Sequence, residues 1–117
     1  QEAFATTWIQ AGADLIIGSH PHVIQDAQLI NGKLVLYSLG NFVFDQPFSR
    51  ETQEGLIISA ELTDAAVKII LMPVGSANLK PFVLKGAEKQ RIISRLCQNL
   101  GSDVCHSDGT IRVPRHP

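Results

Sequence analysis

His20-Pro21-His22 is the segment of this chain best equipped for chemistry. Proline restricts the residue before it, steering His20 away from the helical region and towards extended backbone. Side chains two apart on an extended segment point to the same side, so both imidazoles should face one space. Neutral imidazole is a ligand for zinc, manganese, iron or nickel. The competing reading is a pair of solvent-exposed turn histidines. The short apolar run Asp14 to Gly18 comes just before them and reads as a strand buried on both faces. The ends of such strands are where α/β sheets place ligands.

A second unusual stretch is Tyr37-Ser38-Leu39-Gly40-Asn41-Phe42-Val43-Phe44-Asp45. Gly40-Asn41 interrupts a strand pattern that Phe42 and Phe44 resume. Asn41 can aim its amide at a substrate oxygen, or it can belong to a bulge flanked by two core phenylalanines. Asp45 offers a carboxylate as ligand, base or partner to a histidine, although capping a turn accounts for it better. Cys97 and Cys105 are spaced either to close a small disulfide, as in an exported protein, or to remain as two thiols. Cys105-His106 is a weak metal-pair signal.

These residues need elements to hold them. Phe4, Trp8 and Ile9 recur at helical spacing from the first residues onward with no N-cap ahead of them, so Gln1 to Gln10 is expected to be the body of a helix in a truncated chain. Gly12 is placed to end it. Asn31-Gly32 between two apolar runs predicts a type I′ hairpin over residues 26–38. A polar loop over 45–54 leads to strands at 55–62 and 67–72, the latter ended by Pro73. Residues 74–84 read as loop. Residues 86–100 form an amphipathic helix with Ile92, Ile93, Leu96 and Leu100 on one stripe. The organisation expected is one α/β domain with mixed sheets over 1–84, a C-terminal helix over 85–101 and a loosely ordered tail over 102–117.

Composition narrows the function classes. In 117 residues, 10 Lys and Arg oppose 11 Asp and Glu with no basic cluster, which argues against binding nucleic acid through its phosphates. No apolar run approaches the ~20 residues of a membrane helix.

The run Gly12-Ala13-Asp14-Leu15-Ile16-Ile17-Gly18-Ser19-His20-Pro21-His22-Val23, the Asn-Gly hairpin, and Tyr37 through Gln46 together resemble the bacterial capsule synthesis protein family, of the CapA, poly-γ-glutamate capsule type. Thr52 to Leu56, leading into a strand, fits the same pattern. The likeness runs from Gln1 to about Gly75. It implies the C-terminal half of a metallophosphoesterase-like β-sandwich flanked by helices. His20 and His22 then match the late Gly-His-x-His motif of that superfamily, with Ser19 as a departure in spelling. They would supply metal ligands and act in catalysis with Asn41. The resemblance further implies two divalent ions (Mn, Zn or Fe), with the remaining ligands in a missing N-terminal half. The implied work is metal-assisted hydrolysis or transfer on a phosphoester or an anionic polymer, at the cell surface or outside the cytoplasm, with membrane-associated machinery as a partner. The alternative is a non-catalytic component that binds or guides an anionic capsule polymer.

Overall fold

The computed structural model describes residues 1–115; the last two positions of the expected tail lie outside the described residues. Helix α1 (Glu2–Gln10) starts without a side-chain cap on Gln1, in line with the sequence. It ends in a Schellman motif. Gly12 sits at φ 107°, and the amides of Gly12 and Ala13 bond back to the carbonyls of Ile9 and Trp8.

Strands β1 (Leu15–Ile17), β2 (Ala27–Ile30) and β3 (Lys33–Leu36) form a sheet in the order β1-β3-β2. The hairpin between β2 and β3 turns at Asn31 (φ 49°) and Gly32 (φ 73°), as the Asn-Gly pair requires. Strand β1 runs parallel to β3. It is not buried on both faces: Ile16 lies under α1, but Ile17 is 46% exposed. The strand is at the sheet's outer edge, so an apolar run there does not report burial.

The second sheet contains β4 (Glu54–Leu62), β5 (Ala66–Ala77), β6 (Lys80–Val83) and β7 (Thr110–Pro114). Strand β5 runs straight through Pro73. That residue falls between the positions paired with β7, which end at Ile70, and those paired with β6, which begin at Val74. Pro73 still accepts from the Leu84 amide (2.9 Å) but returns no N–H, which is where the formal β5–β6 ladder stops. Residues 74–83 are therefore not a loop but the rest of β5, a turn at Asn78 (φ 49°) and Leu79 (φ 63°), and β6. The tail is also more ordered than its composition suggests. Ile111 and Val113 alternate inward and bring β7 onto β5.

Alternation along β3 binds the layers together. Val35 faces α1, while Leu34 and Leu36 face the main core. That core joins the first sheet to Leu56, Ile69 and Leu71 of the second sheet. It also takes in Ile92 and Leu96 of helix α2 (Gly86–Cys97). Each fully buried Leu or Ile contributes roughly 1.5–3 kcal/mol. Truncating Leu36, which is 2% exposed, to Ala would cost about 2–5 kcal/mol. The fold is α/β with mixed sheets, as expected.

Candidate functional site

Parallel pairing of β1 with β3 brings the C-terminal ends of both strands to one place. The His20-Pro21-His22 turn follows β1, and Asn41 follows β3. Two glycines allow the close approach. Gly18 donates to Leu36 O (2.7 Å), and a Cβ on it would collide with the Tyr37 carbonyl. Gly55 bridges Gly40 from β4, and a Cβ there would strike the Asn41 carbonyl. The Asn41 amide donates to Glu54 O (3.3 Å), and the Leu56 amide to Leu39 O (2.7 Å). The site thus rests on both sheets.

The histidine turn has a different backbone from the extended one expected. His20 is at φ 107° and His22 at φ 62°. Proline keeps His20 out of the right-handed helical region, but it escapes to positive φ. Such conformations cost of order 1–3 kcal/mol each and persist where the surroundings enforce them. The two imidazoles still come together, with ring centroids 6.4 Å apart and a 46° tilt. A strained turn brings them to one side, in place of strand alternation. His20 is exposed and His22 half-buried. With Asn41 they line a shallow cavity of about 520 Å³, completed by Ser19, Gly40 and the 42–44 segment.

Hydrogen bonds settle which nitrogen of His22 is free. The Asn41 side chain donates through Nδ2 to Thr52 O (2.9 Å) and to Gln46 Oε1 (3.3 Å). A backbone carbonyl can only accept, so the amide orientation is fixed and Oδ1 faces His22 Nδ1 at 2.8 Å. An amide oxygen likewise only accepts, so His22 carries its proton on Nδ1. In the neutral ring Nε2 then keeps the lone pair, which is how metal-binding histidines are held. The Phe44 ring packs on His22 at 4.5 Å between centroids. The residues therefore fit a divalent ion at His22 Nε2 and the His20 ring. Among the described residues no group of three or more His, Cys, Asp or Glu side chains gathers into a ligand set.

Other expectations resolve differently. Phe42 and Phe44 are not core aromatics, being 50% and 48% exposed. The chain has left β3 at Leu36 and keeps only isolated bridges as far as Gly40, so Phe42 and Phe44 lie beyond the sheet and its core. Asp45 lies outside the histidine cavity and lines an adjoining hollow with Gln53 and Ser76. Cys97 and Cys105 are joined in a disulfide, Cα to Cα 5.3 Å, which takes the Cys105 sulfur away from any pairing with His106.

Sequence reasoning missed the support behind Asn41. Thr52 Oγ1 donates to Gln46 O (2.6 Å), closing the 46–52 loop around the amide. Buried Glu54 then accepts from Arg50 and from Arg91 of α2, and Arg50 also pairs with Glu88. Thr52 acts on Asn41 through its backbone carbonyl, which has no side-chain signature. The Arg50–Glu54 spacing of four was visible, but its connection to α2 is tertiary.

Known proteins match this same stretch. A model of the family described as bacterial capsule synthesis protein PGA_cap matches residues 1–46, which hold both histidines and Asn41. The chain is 35% identical over 102 residues to the capsule biosynthesis protein CapA of Bacillus anthracis, covering 85% of this chain and 24% of that protein. It is also 35% identical over 96 residues to the PGA biosynthesis protein CapA of Bacillus subtilis (strain 168), covering 81% of this chain and 25% of that one. The chain spans about a quarter of the length of these curated relatives. Through this segment, the chain belongs to the bacterial capsule synthesis protein family.

Proposed function

We propose that this chain forms part of a capsule-biosynthesis protein whose divalent-metal centre is held by His20 and His22. The observation that carries the reading is the Asn41 amide. Its two donor contacts force Oδ1 onto His22 Nδ1 and leave Nε2 ready to bind. A bound pair of divalent ions supplies Lewis acidity and a nucleophile at neutral pH. This chain's own residues do the remaining work described next. His20 and His22 bind on one wall of the cavity, Asn41 keeps the His22 proton on Nδ1, and Phe44 shields one imidazole face from water. Further ligands are assigned to polypeptide that the longer relatives possess and this chain does not span. The work of the assembled site is metal-assisted hydrolysis or transfer on a phosphoester or an anionic capsule polymer, outside the cytoplasm. The metallophosphoesterase likeness of the His-x-His segment supports that choice.

Replacing His20 and His22 with Ala tests it. Metal analysis of the wild-type and doubly substituted protein should show Mn, Zn or Fe lost in the variant, with the circular dichroism spectrum unchanged. Full metal content in the variant would refute the assignment. A variant that loses metal while capsule assembly continues would leave a binding role in place of catalysis.

A further inference from the structure

A second hollow adjoins the histidine cavity, and Phe44 forms part of the wall of both. It holds about 170 Å³ between the 44–47 segment, Gln53 and the tip of the β5–β6 hairpin. On the order of five water molecules fill such a space, so it suits one small group and not a length of polymer. Asp45, Gln53 and Asn78 supply polar groups, and Pro47 and Leu79 join Phe44 as apolar ones.

Two of its residues are ill explained by folding. Asp45 is exposed, and among the described residues lining the hollow it alone is charged. It takes part in none of the ion pairs among the described residues. An ionised carboxylate only accepts, whereas the amides of Gln53 and Asn78 can accept as well as donate. The group that satisfies all three is a donor, and a cationic donor bonds a carboxylate most strongly. A phosphate or a carboxylate would be repelled.

Leu79 is the other. Ala77 pairs with Lys80 across the hairpin, so Asn78 (φ 49°) and Leu79 (φ 63°) are the two central residues of its turn, with φ positive at both as in type I′. Glycine fills the second of these positions best, because a Cβ crowds left-handed backbone. Leucine recovers little of that through burial, being 51% exposed. Sparsely populated backbone recurs at ligand clamps, and the side chain held there is an apolar wall of the hollow.

We infer that this hollow binds a primary alkylammonium group, with the –NH₃⁺ on Asp45 and the methylenes against Leu79 and Phe44. The inference does not depend on metal at the histidines.

Titration of the 117-residue chain with n-butylammonium chloride tests it, followed by two-dimensional ¹H–¹⁵N NMR at constant ionic strength. The amides of Asp45, Gln53 and Asn78 should move together and saturate. n-Butanol carries the same chain without the charge and should bind about threefold more weakly or worse, the scale of an ion pair that solvent partly screens. Asp45→Asn should weaken n-butylammonium binding by the same factor. Leu79→Gly should weaken it too, yet hold or raise the thermal midpoint, because glycine relieves the turn. A leucine that served the fold alone would instead lower the midpoint and leave affinity unchanged. Absence of saturation, unchanged affinity in either variant, or equal binding of n-butanol would overturn the proposal. Equal or tighter binding of calcium chloride or glucose at the same residues would also overturn it, reassigning the hollow to a hard cation or a sugar.

Discussion

Asn41→Ala is the most informative single change. Asn41 is 9% exposed and makes three side-chain contacts, to His22 Nδ1 (2.8 Å), Thr52 O (2.9 Å) and Gln46 Oε1 (3.3 Å). Each ordinary hydrogen bond contributes about 1 kcal/mol net. The 3.3 Å contact is long and counts for less. Truncation should therefore lower the unfolding free energy by about 2–3 kcal/mol, since Thr52 O and His22 Nδ1 are left partly buried without their partner. Urea unfolding of both proteins measures this. The sharper readout is ¹⁵N NMR of the His22 ring at a pH where the ring is neutral. In the wild type Nδ1 should be protonated and Nε2 bare; in the variant the ring should relax towards a mixture of tautomers. An Nε2-protonated ring in the wild type, or a tautomer indifferent to the substitution, would refute the reasoning even if stability fell as expected.

Other parts of the molecule raise equally definite expectations. Phe42→Ala should cost no more than about 1 kcal/mol in urea unfolding, well short of a core aromatic, because the ring is half exposed. Cys97 and Cys105 close a loop with a sequence separation of 8, so reduction should lower stability by about 2–3 kcal/mol, read as a drop in the thermal midpoint with reductant. Asp14 accepts from Lys33 Nζ (2.7 Å) and pairs with Arg115, and the Lys33 bond leads in holding its carboxyl below the usual range. Its contribution is present above the ordinary carboxylate pKa and fades as pH falls through the lowered folded value. The gap in urea midpoint between wild type and Asp14→Asn should accordingly be open at neutral pH and close in acid.

Much of this fold was written locally, and what was local could be read. Asn31-Gly32 demanded its hairpin, Gly12 ended α1, and the stripe of Ile92, Ile93 and Leu96 placed α2 against the core. The misreadings were cases where a distant partner decides. Pro73 looks like a stop until β6 and β7 are seen to divide β5 on either side of it. Leu79 at positive φ gives no turn signal. Strand β7 is short and polar at alternate positions, and its place is set by pairing with β5 and by the core that takes in Ile111 and Val113 beside α2. At the site, the His-x-His pair and Asn41 were legible by residue type. The strained turn that joins them and the carbonyl that aims the amide were not, because backbone conformation and backbone acceptors leave little trace in side-chain identity.

The division of labour along β5 has a consequence for local opening. That one strand pairs with β4, β6 and β7, and its inward residues Ile69 and Leu71 are at most 2% exposed. Its amides should exchange with solvent only on global unfolding. The three-stranded sheet that leads into the histidine turn meets the second sheet through β4, by the Gly40–Gly55 bridge and the Leu56-to-Leu39 bond beside the site, and through the shared core of Leu34 and Leu36 with Leu56, Ile69 and Leu71. Asn41 thus lies at the seam between the two sheets, and the smaller sheet, with fewer strands around it, is expected to open first. A ligand seated across the seam would slow exchange in the smaller sheet first, before β5 registered any change.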